Sequence, residues 1–157
     1  MIDLISFLRG EGPDINGRTL SSLNDSCDDE LEQSHDFIQW MFPSDIPSKH
    51  NDYAPVLTKE QIEMIRNDDL IKEWIRMSLL RMLYFYKGSW WITRRNHNFL
   101  RITRILRCLW LSGLKWEYDK LQIVLDRIYN KHSDIIGSVT YTYWKNANDN
   151  DFFQNRY

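Results

Sequence analysis

The segment from Leu70 to Lys87 (LIKEWIRMSLLRMLYFYK) most limits what this chain can become. At about 100° per residue its apolar side chains, Leu70, Ile71, Trp74, Ile75, Met77, Leu79, Leu80, Met82, Leu83, Tyr84, Phe85 and Tyr86, spread over nearly every side of a helix. A helix that is hydrophobic all round belongs in the middle of a domain. Asp68 and Asp69 supply a start and Gly88-Ser89 a stop, so the sequence predicts a buried central helix over about residues 69–87. The 157 residues suit one domain built around it. The expected fold is all-α, a single compact helical domain over 1–157.

Other helices surround that segment. Asp28 to Phe42 places Leu31, Ser34, Ile38, Met41 and Phe42 on one side, with His35 at its edge, and Pro43 stops it. Thr58-Lys59-Glu60-Gln61 matches a capping box. A helix from Asn96–Asn98 runs to Ser112-Gly113, and Lys115 to Lys131 repeats helical spacing through Leu121, Val124, Leu125, Ile128 and Tyr129. Ser138 to Trp144 alternates like a strand but has no strand to pair with, so helix is expected there. Residues 10–28, rich in Gly, Ser, Asn and Asp, read as a linker, Met1 to Arg9 as a docking helix, and 146–157 as a frayed tail.

Two cysteines, Cys27 and Cys108, are too few for a disulfide framework and lack metal-site spacing, which points to a reducing intracellular compartment. No uncharged apolar run approaches the roughly 20 residues of a membrane span, and no signal peptide is expected; peripheral membrane association stays open. His35, His50, His97 and His132 are scattered without metal-ligand spacing, and no phosphate loop, nucleophile elbow or dinucleotide fingerprint occurs. The expectation is a non-enzymatic protein without metal or cofactor.

Charge is uneven. Residues 1–67 hold thirteen acids against five basic residues, leaving the remainder basic within a net charge of −2. From Lys87 to Lys115 there are seven basic residues and no acid. Two polar-aromatic segments stand out. In the first, Glu32, Asp36, Gln39 and Trp40 fall away from the apolar stripe, as a ligand seat or as a second core contact. In the second, Arg101, Arg104 and Arg107 occupy an arc opposite Ile102, Ile105, Leu106 and Leu109. With Arg94 and Arg95 that arc suits a phosphate, a carboxylate or nucleic acid, or it pairs internally with Glu32 and Asp36.

Leu31-Glu32, Ser34-His35-Asp36, Ile38-Gln39-Trp40 and Phe42-Pro43, then Ala54 and Leu57-Thr58, then His97-Asn98 and Leu100 to Leu106 together resemble the conserved region of the opioid growth factor receptor family. The likeness runs over residues 30–130, with a shorter link between Tyr86 and Trp90 and without the repeat-rich extension of animal members. It implies an all-helical domain and, for animal members, a receptor for an enkephalin-type peptide linked to the nuclear envelope and growth control. It brings Glu32, His35, Asp36, Gln39, Trp40, His97, Asn98, Arg101 and Arg104 into one expected polar seat between two helices, with Trp40 as a wall. The expected role is binding of a peptide or protein partner in the cytoplasm, or at the nucleus if the family biology carries over. The alternative is nucleic-acid or anion binding through Arg94, Arg95, Arg101, Arg104 and Arg107.

Overall fold

A computed structural model describes residues 2–154. Ten helices follow one another among them: α1 (Leu4–Leu8), α2 (Leu20–Asn24), α3 (Asp28–Gln33), α4 (Ile38–Met41), α5 (Lys59–Arg66), α6 (Asp69–Phe85), α7 (Asn98–Leu111), α8 (Lys115–Ile136), α9 (Ser138–Lys145) and α10 (Asn150–Gln154). The only β feature among the described residues is an isolated bridge between Ser44 and Val56. The all-α class is as the sequence predicts.

Local chemistry sets the helix ends. The Asp3 carboxylate accepts from the Ile5 and Ser6 amides to start α1, and Asp68 accepts from Leu70 and Ile71 to start α6. Thr58 and Gln61 form the expected capping box at α5. Gly137, at φ +86°, ends α8 and lets α9 begin at Ser138, so the strand-like alternation there resolves as helix. Gly10 serves close packing, since a Cβ there would lie 2.6 Å from Trp74 Nε1.

The central helix is α7 rather than α6. Along α7 nearly every side is buried, including Phe99, Ile102, Ile105, Leu106, Cys108 and Leu109, and it lies against α4, α8 and α9. Burial carries the Cys108 thiol up to about 12. Helix α6 buries only Ile71, Ile75, Ser78, Leu79, Met82 and Phe85, packing on α1, α2 and α5. Its other side leaves Leu80 68% and Tyr84 66% exposed. An apolar helix face is buried only if another element covers it, and none of the described elements covers this one.

Three further expectations change. The single helix over Asp28 to Phe42 is broken between α3 and α4, because Ser34 turns extended (φ −83°, ψ 128°) and its hydroxyl bonds Asp36 locally at 3.0 Å. Residues 10–28 are not a free linker. Asp14, 1% exposed, accepts the amides of Asn16 and Arg18 at 2.9 Å each, while Leu20 and Leu23 of α2 are buried. Within 146–157, Ala147 and Phe153 are buried and α10 forms, while 155–157 lie outside the described residues. The tail is held by Arg107, which donates to Ala147 O at 3.0 Å and Asn150 Oδ1 at 2.7 Å.

Candidate functional site

The two polar-aromatic segments do meet, where the C-terminal end of α3 reaches the first turns of α7. Glu32 Oε1 lies 2.6 Å from His97 Nε2, accepts from Asn98 Nδ2 at 3.2 Å, and sits 3.6 Å from Arg101 Nη1. His35 packs edge-on against His97, with ring centroids 5.9 Å apart. The amide of Asn98 is fully buried, and its Oδ1 accepts from Tyr86 Oη at 3.0 Å and from Arg101 Nη1 at 3.2 Å.

Arg101 explains why the meeting occurs. Its Nη2 donates to Ser34 O at 2.5 Å and to Glu32 O at 3.5 Å, so one guanidinium takes up carbonyls that α3 leaves open at its C-terminal end. Positive charge there also complements the helix dipole. The Arg101 side chain is 6% exposed and lies 5.0 Å over the Phe37 ring. Burial pulls its pKa down, and Tyr86 and Glu32 oppose that fall.

Asp36 does not join this cluster. It takes Arg18 Nη1 at 2.8 Å, Ser34 Oγ at 3.0 Å and Asn16 Nδ2 at 2.6 Å. Burial works against its ionised form, but the bonds from Arg18 and Ser34 win and hold the carboxyl below its ordinary range. Gln39 and Trp40 turn inward on α4, and Trp40 meets Phe7 edge-on at 5.5 Å, so Trp40 is core rather than the wall of a seat. Arg104 Nη1 bonds Ser44 Oγ at 3.2 Å instead of the acids of the first segment.

The expected arginine arc also dissolves. Arg107 is 2% exposed and forks onto Asp45 at 3.0 and 2.8 Å. Arg101 is equally committed inside. Arg94 and Arg95 remain exposed in the turn before α7, with Arg95 at φ +58°. A nucleic-acid or anion site built on all five arginines therefore loses its two buried members.

Sequence reasoning missed Arg18, Asp14, Tyr86 and Asp45. The opposite charges of the two halves were the available signal for such pairs, but charge totals do not say which acid meets which arginine. Among the described residues no group of three His, Cys, Asp or Glu side chains is arranged to hold a metal ion.

A second feature adjoins the polar cluster through Tyr86. Leu79, Met82, Leu83 and Tyr86 of the α6 segment, Ile102 and Ile105 of α7, Leu121, Val124, Leu125 and Ile128 of α8, and Trp91 line an apolar cleft of about 100 Å³. Its rim is exposed and apolar, with Leu83 42% and Val124 44% accessible. One turn before Leu79 and Leu121, Arg76 Nε bonds Glu117 Oε1 at 2.8 Å and ties α6 to α8. Trp91 Nε1 donates to Tyr86 O at 3.0 Å, and the Tyr86 hydroxyl holds Asn98, so the cleft floor is wired to the polar cluster. A second concavity, of about 210 Å³, is lined by Arg18, Leu23, Ser26, Glu30, Leu31, Ser34 and Phe37.

Residues 15–89 match the family described as the opioid growth factor receptor (OGFr) conserved region. The human opioid growth factor receptor is 34% identical over 106 aligned residues, covering 55% of this chain and 16% of the human protein. The rat receptor is 32% identical over 106 residues, covering 55% and 18%. The mouse opioid growth factor receptor-like protein 1 is 35% identical over 102 residues, covering 52% and 21%. The chain thus spans about a fifth or less of these relatives' length. No solved structure matches.

Proposed function

With residues 15–89 carrying the match to the opioid growth factor receptor conserved region, we propose that this chain is a non-enzymatic interaction domain that seats a short apolar peptide between α6 and α8. The observation that carries the reading is the exposed apolar rim of the cleft, formed by Leu83 and Val124 above a floor of Met82, Ile102 and Leu125. Exposed contiguous apolar surface on a folded domain is characteristic of a docking site. The human relative is named as a receptor for an opioid growth factor, and the peptide class is taken from that name.

In this reading the polar cluster serves as scaffold. Its acids and arginines are spent on one another and on α3 carbonyls, which fixes the α3 end against α7 and, through Asn98 and Tyr86, the cleft floor. The domain acts in the cytoplasm or at the nucleus, and no helix among the described residues is long and apolar enough to cross a membrane.

Calorimetric titration with an enkephalin-type peptide, the ligand class implied by the resemblance, tests the proposal. Binding is expected to weaken at least tenfold, about 1.4 kcal/mol, in a Leu83→Lys/Val124→Lys double variant. It should change little with salt or with Arg94→Ala/Arg95→Ala, because an apolar seat releases few counterions. Binding that is lost in the arginine variant and falls steeply with salt would overturn it.

A further inference from the structure

The cleft between α6 and α8 has two unlike ends. Along α6, Arg76, Leu79, Leu83 and Tyr86 recur at steps of three and four, and along α8 Glu117, Leu121, Val124, Ile128 and Lys131 do the same, so each set falls on one side of its helix. Both lines start at the Arg76–Glu117 ion pair and run on into one cleft, which two helices can do only when they point the same way. At the far end the walls stop. Helix α6 ends at Phe85, and α8 departs from helical geometry at His132 (φ −131°, ψ 27°). Two cations stand there: Lys87, next to Tyr86, and Lys131, next on the α8 line after Ile128. Both are exposed, and among the described residues neither side chain has an ion pair or a hydrogen bond.

Cations often gather at helix ends to offset the dipole, but the last α6 carbonyls are already taken. Trp90 Nε1 donates to Phe85 O at 3.1 Å, Trp91 Nε1 to Tyr86 O at 3.0 Å, and the Lys87 amide to Tyr84 O at 3.1 Å. Nor do nearby acids answer the two lysines, since Asp126 is bonded to Tyr141 and Lys145 at α9 and Asp134 follows the bend at His132. We propose that Lys87 and Lys131 take the terminal carboxylate of the peptide seated in the cleft, which makes the site selective for a free, apolar carboxyl terminus. The proposal rests on the peptide-binding reading and adds the orientation of the bound chain. Walls from Leu79 to Tyr86 span about 10 Å at 1.5 Å rise per residue, room for about three extended residues at about 3.3 Å each. The last three residues fill the walls, and the carboxylate falls where the walls end. A carboxylate on a side chain would instead need the main chain to continue past both lysines, beyond any apolar wall. Exposed lysines attract a carboxylate weakly, so apolar burial supplies most of the affinity and the carboxylate supplies the choice between peptides.

Calorimetry of the full chain with one enkephalin-type peptide in two forms, free acid and carboxyl-terminal amide, tests this. The acid should bind about three- to fivefold more tightly than the amide, the weight of an exposed ion pair. In Lys87→Met/Lys131→Met, which keeps the apolar stems, the acid should fall to the affinity of the amide, the amide should be unchanged, and the circular dichroism spectrum should stay the same. Salt at about 1 M should close the same gap in the unsubstituted chain, so the salt response of the acid never exceeds that ratio. Arg94→Ala/Arg95→Ala should leave the gap intact. Equal binding of acid and amide, with both weakened in Leu83→Lys/Val124→Lys, would overturn the carboxylate contact and leave the peptide-binding reading standing. A gap that survives Lys87→Met/Lys131→Met would overturn the contact too. Binding of neither form would overturn both readings together.

Discussion

At the residue scale, stability depends on where each charge is spent. Asp36 and Asp68 both have carboxyls held below the usual range: burial opposes ionisation in each, but Asp36 takes bonds from Arg18 and Ser34, while Asp68 takes the Ile71 amide and Arg9. A carboxyl depressed on folding contributes stability that is fully present above its unfolded value, near 3.8, and is lost as pH falls through the folded value beneath it. Urea midpoints should therefore fall on acidification below about pH 4. Asp36→Asn should lower stability at pH 7 and flatten part of that decline. Arg107→Ala should cost about 3 kcal/mol, because it leaves Asp45 without its bidentate partner, and should speed amide exchange over 147–153. Arg94→Ala, at an exposed site, should stay within about 0.5 kcal/mol. The identity of the important polar residues was legible in the amino-acid sequence: Glu32, His97, Asn98 and Arg101 do converge. The pairing of Arg101 with Glu32 was among the readings the charge pattern allowed, but Arg18 and Tyr86 were not legible as partners, since they reach the two segments from positions that no helical spacing links to them.

At the element scale the readable parts were the helices whose ends have local causes. The Thr58 capping box, the Asp68 cap and the run from Asn98 to Ser112 each depend on residues within one turn. The break in the first segment was not readable, because the local Ser34–Asp36 bond competes with a helix without excluding one, and the extended turn is also held by Arg101, 67 residues away. Arg101→Ala should therefore free the α3 end as well as lower stability by about 2–3 kcal/mol, seen as new amide exchange at residues 31–36. The turn ahead of α7 holds Arg95 at φ +58°, a backbone conformation that costs an L residue about 1–2 kcal/mol. Glycine's greater entropy loss offsets part of this, so Arg95→Gly should raise stability by about 0.5 kcal/mol.

At the scale of the whole molecule, composition and periodicity sufficed for an all-α chain but assigned its centre to the wrong helix. The Leu70–Lys87 run is apolar on its outward side too, and pattern alone cannot distinguish a face covered by the same chain from a face left for something else. Helix α7, by contrast, carries three arginines and is the buried one, because Asp45, Glu32 and backbone carbonyls neutralise or bond Arg101 and Arg107 within the fold and Ser44 takes a bond from Arg104. That exchange of roles underlies our proposal that the polar cluster of Glu32, His97, Asn98 and Arg101 serves as scaffold and the apolar surface of α6 and α8 as the ligand seat. Peptide titration followed by two-dimensional NMR of the amide groups tests it most directly. Shifts at saturating enkephalin-type peptide should centre on Leu83, Tyr86, Val124 and Ile128, with His35 and His97 moved little. Shifts centred on His35, His97 and Glu32, with the α6–α8 cleft silent, would contradict it.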